Sequence, residues 1–399
     1  MTTRASNLVV AGFVLITLSL GLVQFSLLAA QGFLFTAAAI VWVVVAAQDG
    51  RRPDTPPFFL PLLVYAGLTL VSAAVSPAPV EGLWDSRQLL MFLMVPIVAR
   101  FAQGHRATKT MDVIIAIGAA GALVGIFQFA ILDKGHLSNR LKGPLGHWMT
   151  YSGVLMLTTC AAVARLTFTR IRTPWPLIAV PALLVALVAT YTRNAWIGTF
   201  LAVTVLLAIR NWRLVVIVPV VAALALVVAP GMVKKRAASI FDTADPANRD
   251  RIVMWKIGAD MVRDHPLFGV GPHRIQDVYE EYRQKYPEAV NKTNPHLHNV
   301  PIQIAAERGL PALAAWLWFI VVAARDLWRQ VRARIAPAVA GAGLAAVVAM
   351  VAAGMFEYNF GDSEFLMLFL GLITLPYAAS RGFTAVVTGT VKSPNGTYS

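Results

Sequence analysis

The run Asn294-Pro-His-Leu-His298-Asn-Val-Pro-Ile-Gln-Ile-Ala-Ala-Glu307-Arg-Gly309 sets a histidine immediately before a helix. Asn299 is a good N-cap and Pro301 suits a first turn, so the helix is predicted to run to about Arg308 before Gly309-Leu-Pro311 interrupts it. The positive end of a helix dipole favours neutral imidazole, the form that accepts a proton. His298 is therefore the candidate general base. The competing reading is an interfacial histidine bonded to a loop carbonyl.

Arg193, in Tyr191-Thr-Arg-Asn-Ala-Trp196, falls at a tight turn between two apolar stretches. Arginine presents a planar fork that grips phosphate in a bidentate way and keeps its charge when partly desolvated. A snorkelling arginine would look the same in sequence. Arg249 and Arg251, near the start of an amphipathic segment, carry the same pair of readings. Arg140, Lys142 and His147, in Asn139-Arg-Leu-Lys-Gly-Pro-Leu-Gly-His147, are either further anion contacts or a plain loop. Arg87 beside Asp85 is an anion contact or an interfacial salt bridge. His265, His273, His296 and His298 match no zinc spacing, and the nearby carboxylates are not paired for magnesium. No metal or other cofactor is expected. Gly269-Val-Gly271 lacks the Lys-Ser/Thr that would follow in a phosphate loop.

His265, His273, His296, His298, Arg249 and Arg251 fall in a polar insert within an otherwise apolar chain, and the other candidates lie outside it. Of 399 residues, 57% are apolar and only 14% charged, far below the quarter typical of soluble domains. Apolar stretches long enough to cross a ~30 Å hydrocarbon core recur throughout. The expected fold is all-α and polytopic, because lipid forbids open strands. Twelve spans are predicted, near 8–29, 31–47, 57–75, 84–102, 110–131, 148–168, 175–191, 195–209, 212–229, 310–327, 336–356 and 362–379. Three regions follow: spans one to nine in 1–229, a helical insert with the histidine motif in 230–309, and spans ten to twelve with a tail in 310–399. The single cysteine, Cys160, lies in a span, which excludes an internal disulfide.

Within the insert, Ile252, Trp255, Ala259 and Val262 are spaced as an apolar stripe on a helix capped by Asn248. Ile275, Val278, Tyr279, Tyr282 and Tyr286 make a second stripe. Two such helices, without a core of their own, are expected to lie as a lid across the ends of the spans.

Loop charge sets the orientation. Alternate loops carry Arg4; Arg51 and Arg52; Arg100, Arg106 and Lys109; Arg165, Arg170 and Arg172; Arg210 and Arg213; and Arg325, Arg329, Arg332 and Arg334, with Arg381 and Lys392 in the tail. This ladder places both termini in the cytoplasm and the insert outside. Six of the seven histidines fall on the outer face, together with Arg87, Lys134, Arg140, Lys142 and Arg193, against the positive-inside rule. A bound polyanion is an economical reason. The net charge of +14 is thus shared between cytoplasmic loops and an anionic substrate, and no nucleic-acid partner is expected.

The combination Arg249-Asp-Arg251…Trp255…Asp264-His-Pro-Leu-Phe-Gly-Val-Gly271, followed by His296-Leu-His298-Asn…Glu307-Arg-Gly309, resembles the O-antigen ligase and O-antigen polymerase superfamily of bacterial inner-membrane glycosyltransferases. The resemblance implies transfer of a glycan from undecaprenyl diphosphate to an acceptor on the periplasmic side, the lipid A core in the ligase branch. It carries the family's essential histidine onto His298 and its periplasmic arginines onto Arg193 and onto Arg249 or Arg251. A second lipid-linked glycan or a protein hydroxyl would be the acceptor in the polymerase and protein-transferase branches. A transporter or flippase would instead show repeats and charges at mid-membrane.

Overall fold

The computed structural model describes residues 3–25, 28–50, 54–132, 140–169, 175–289 and 293–387. Arg51, Arg52, Lys134, Asn139, Arg170, Arg172 and Lys392 lie outside the described residues, as does the side chain of Arg4.

Among the described residues the protein is all α-helical, with no sheet. Among the described residues, seven helices are long and apolar enough to cross a membrane: Ala29–Asp49, His105–Ile131, Trp148–Phe168, Arg193–Arg210, Val300–Arg332, Pro337–Gly354 and Ser363–Arg381. Four shorter apolar helices join them, Ser6–Leu22, Phe59–Val75, Trp175–Ala189 and Trp212–Val228. The protein is a multi-pass membrane protein.

The stretch expected as a span over 84–102 is not one regular helix. It divides into a helix Pro79–Asp85, a 3₁₀ segment Ser86–Leu93 and a helix Met94–Phe101. Its polar residues are spent on neighbours: Asp85 pairs with Arg274 at 3.0 Å, and Gln88 donates to the Gly361 carbonyl at 2.6 Å. The Trp148–Phe168, Pro337–Gly354 and Ser363–Arg381 helices form the buried centre of the bundle. The Trp212–Val228 segment stands at its margin, and its helical part Ile217–Val228 has no buried residue.

The insert has a core, contrary to the expectation of two helices without one. Val253, Met254, Ile257, Met261, Ile275 and Tyr279 pack together with Leu297 and Ala306. This turns the first insert helix relative to the expected stripe. Val253, Met254, Ile257, Gly258 and Met261 face inward, while Ile252 is 36% exposed. That helix is Pro246–Asp264, and its cap is Asp245, which accepts from Ala247 N–H at 3.1 Å and Asn248 N–H at 3.3 Å. Asn248, expected as the cap, instead donates to the carbonyls of Ser239 and Asp242 at 3.0 and 2.8 Å. The second helix, Ile275–Arg283, buries Ile275, Tyr279 and Tyr282 as its spacing predicts.

The two glycine-bearing turns of the insert meet each other. Gly309 breaks the Val300–Arg332 helix with φ 83°. Two positions later Pro311 has no N–H, so the Glu307 carbonyl lacks its usual helical donor. Gly271 N–H fills that vacancy at 2.9 Å, Val270 N–H donates to the Ala306 carbonyl at 2.8 Å, and Leu310 N–H reaches Pro266 at 2.8 Å. The backbones approach so closely that a Cβ on Gly269 would sit 2.3 Å from Glu307 C, and one on Gly309 would sit 2.1 Å from Leu267 O. Ser72, near the end of the Phe59–Val75 helix, donates toward both strands of this contact, to Phe268 O at 2.6 Å and Glu307 O at 3.1 Å. The His-Pro-Leu-Phe-Gly-Val-Gly turn is thereby fastened to the bundle and to the helix that begins beside His298.

Candidate active site

His298 is held in a left-handed backbone conformation, φ 49°, uncommon for a non-glycine residue. Its neighbours enforce it. Leu297 is fully buried in the insert core, and its N–H donates to Gln303 Oε1 at 2.7 Å. Asn299 caps the next helix as expected, accepting from Ile302 N–H at 2.9 Å, while its Nδ2 donates to the Met355 carbonyl at 3.0 Å. The chain is thus pinned to the end of the Pro337–Gly354 helix, and the His298 ring points at the loop that follows.

That loop supplies Glu357. Its carboxylate lies 2.9 and 3.0 Å from His298 Nδ1. Burial pushes the Glu357 carboxyl up, but the His298 bond and the charges of His298 and Arg251 outweigh it and hold the group below the usual carboxylate range. An ionised carboxylate only accepts hydrogen bonds, so Nδ1 must carry the proton. In the neutral ring Nε2 is then the free base. This is the orienting carboxylate of an acid–histidine pair.

Arg251 joins this pair to a cleft. Its Nε donates to the Phe356 carbonyl at 3.1 Å, and its terminal nitrogen is 4.0 Å from Glu357 Oε2. The cleft is lined by Arg140, Arg193, Arg236 and Arg251, with Tyr191 and Asn194 among its other walls. Burial depresses the proton affinity of Arg251, Arg140 and Arg236, and the neighbouring arginines depress it further. The site is oversupplied with positive charge.

Arg193 begins the Arg193–Arg210 helix after Tyr191, itself at φ 52°. Its guanidinium donates to Ser239 O and Oγ at 2.7 and 2.8 Å, and to Asp245 Oδ1 at 3.2 Å. Burial raises the Asp245 carboxyl, but Arg193 and the two capped N–H groups prevail and keep it low.

The remaining candidates separate. Arg249 is exposed and does not line the cleft, so of the two neighbouring arginines only Arg251 reaches it. Arg140, Lys142 and His147 gather about Trp148, with cations 5.3 and 6.0 Å from its ring and the His147 ring 5.1 Å away. Only Arg140 of these three lines the cleft. Arg87 is exposed and lies 5.1 Å over Trp84, away from the cleft, while its expected partner Asp85 is taken by Arg274. Among the described residues no three His, Cys, Asp or Glu side chains form a group suited to a metal ion.

Residues 177–317 match the family model described as O-antigen ligase, Wzy_C. This stretch is an O-antigen ligase domain. No curated protein matches the chain. The domain is shared by O-antigen ligases and related polymerases and oligosaccharyltransferases, and it implies a transferase of lipid-linked glycans. The O-antigen ligase domain contains Arg193, Arg236, Arg251 and His298, whereas Arg140 and Glu357 reach the cleft from outside the matched segment.

Glu357 and Arg236 were missed in sequence as individual contributors. Glu357 carries no local signal, being 59 residues from His298 and visible only as an acid in a short loop. Arg236 was hidden in the charge run Lys234-Lys-Arg236.

Proposed function

We propose that the protein is an O-antigen ligase of the bacterial inner membrane, with cytoplasmic termini and a periplasmic site. Its donor is an undecaprenyl-diphosphate-linked glycan and its acceptor a hydroxyl of the lipid A core. The observation that carries this reading is a four-arginine cleft joined through Arg251 and Glu357 to the Nδ1 side of His298.

The chemistry is a single displacement. The acceptor oxygen attacks the anomeric carbon as its proton passes to His298 Nε2. The bond from that carbon to the diphosphate oxygen breaks, and the leaving group departs with the electron pair. Arg251 and Arg193 meet the charge that develops there. Attack opposite the leaving group inverts the anomeric centre. The arginines neutralise the diphosphate without a divalent ion, so transfer is metal-independent.

Purified protein given a lipid-linked glycan and rough lipopolysaccharide should form capped core and should work undiminished in excess EDTA. Elongation of the lipid-linked glycan without core capping would make it a polymerase. Loss of activity in chelator, restored by one divalent ion, would overturn the metal-independent mechanism.

A further inference from the structure

The arginine cleft has a second lobe. Arg140, Tyr191 and Arg236 line both lobes, and Met232, Lys235 and Asp245 are added in the outer one. Arg236 comes from the Gly231–Ala238 helix, which follows the Trp212–Val228 segment almost directly. Asp245, the carboxylate of this lobe, gives its ion pair to Arg193 and acts on Arg236 only from beyond ion-pair distance, and among the described residues Arg236 enters no ion pair. An arginine held among other arginines without a carboxylate of its own is poised for an external anion.

The two ends of the cleft differ in what lies beyond them. At one end Arg251 touches the loop bearing Glu357, and through it His298. On the Arg236 side, Lys234 Nζ donates to the Val227 carbonyl at 3.1 Å, and the Ile217–Val228 helix so joined exposes Val220, Leu224, Val227 and Val228 to the extent of 49, 62, 71 and 84%. A lipid diphosphate can satisfy both ends in one direction only. Its glycosyl carbon must lie toward His298 and its hydrocarbon toward that apolar helix.

Resting on the ligase reading for the identity of the donor, we infer that Arg236 binds the lipid-side phosphate of the diphosphate, while Arg251 serves the sugar-side phosphate. Arg236 is thus a specificity residue for diphosphate over monophosphate lipids. Losing a charge-assisted bond of this kind lowers affinity about tenfold or more.

The test is binding of undecaprenyl diphosphate and undecaprenyl monophosphate to the full chain in nanodiscs, for wild type, Arg236→Gln and Arg236→Lys. The expected result is tighter binding of the diphosphate by wild type and about a tenfold loss of that binding in Arg236→Gln. Monophosphate binding should stay within about twofold, and Arg236→Lys should fall between the two. Equal losses for both lipids, or unchanged diphosphate binding in a variant that melts like wild type, would overturn the inference. Should Arg236→Gln not fold, the same comparison in Arg236→Lys decides it: a loss confined to the diphosphate supports the assignment, and any other pattern overturns it. A failed ligase reading shows differently, as wild type that prefers the diphosphate yet caps no core.

Discussion

Two regions of this molecule use the same side chains and reach opposite ends. Beneath the glycine turn, Glu307 and Arg308 form a buried pair, with side chains 0% and 5% exposed. Glu307 also accepts from Gln303 Nε2 at 2.8 Å and from His273 N–H at 3.1 Å, and Arg308 donates to the Tyr358 hydroxyl at 3.3 Å. Cation meets anion, and backbone and amide donors take up further carboxylate capacity. The cleft above Glu357 instead gathers four arginines around Asp245 and the fringe of Glu357. Charge matched within the fold makes a fastener. Charge left over makes a site waiting for a ligand.

The sharpest test of that contrast is His298→Ala, which should lower turnover by roughly 10²–10⁴ in protein that still folds, although removing the Nδ1 partner of buried Glu357 also lowers the melting temperature. His296→Ala should be much milder: burial lowers the proton affinity of His296, and its ring rests 5.5 Å from Tyr358. Equal rates for His298→Ala and wild type would remove the histidine from the chemistry.

Glu307→Ala should act in the other currency, stability. Stranding Arg308 as a buried unpaired cation costs about 3–5 kcal/mol, read as a lower melting temperature and reduced yield. Glu307→Gln combined with Arg308→Met should recover part of that loss. A Glu307→Ala protein that melts normally but does not transfer glycan would break the comparison.

Glu357→Gln should slow turnover roughly 10- to 100-fold with little change in melting, because it loosens the tautomer and aim of His298 and leaves the base itself in place. Arg249→Ala should leave turnover within about twofold, as befits an exposed charge. Arg193→Lys keeps the charge but loses the fork, and donor KM should rise more than for Arg249→Ala.

The smallest effect concerns pH. Glu357 and Asp245 both have folded-state values below the ordinary carboxylate range. Their stabilisation is therefore complete above the unfolded values, about 4, and is lost as pH falls through the lower folded ones. The melting temperature should decline with acid in that window, and Asp245→Asn should flatten the decline. An unchanged slope in Asp245→Asn would detach its pair with Arg193 from stability.

Local pattern carried much of this into the sequence. The Asn299 cap, the Gly309–Pro311 break and the Ile275–Tyr282 face depend on residues within a few positions of one another, and each is found as expected. The first insert helix faces one step away from the stripe its spacing predicts, because Leu297 and Ala306 build a core that draws in Val253 and Ile257. The irregular 85–93 stretch reads as a span by hydropathy alone, since Asp85 and Gln88 bond to Arg274 and Gly361, remote in sequence. Of the candidate cations, spacing could not separate Arg249 from Arg251. Only the rotation of their helix does so, turning Arg251 to the Phe356 carbonyl. Glu357 is the hardest case, because its role exists only where two distant loops close.

The Asp245–Arg193 contact has a further consequence. A protein embedded in lipid is surrounded by phosphate headgroups in vast excess over any glycan carrier. A tethered carboxylate competes from a millimolar-scale effective concentration without diffusing away. To reach Arg193, a headgroup bearing one negative charge must evict Asp245 and also disturb the helix cap it forms, whereas a diphosphate brings more charge to the exchange. Arg193 is therefore guarded by the protein's own anion, and ordinary phospholipid headgroups meet a covered fork there.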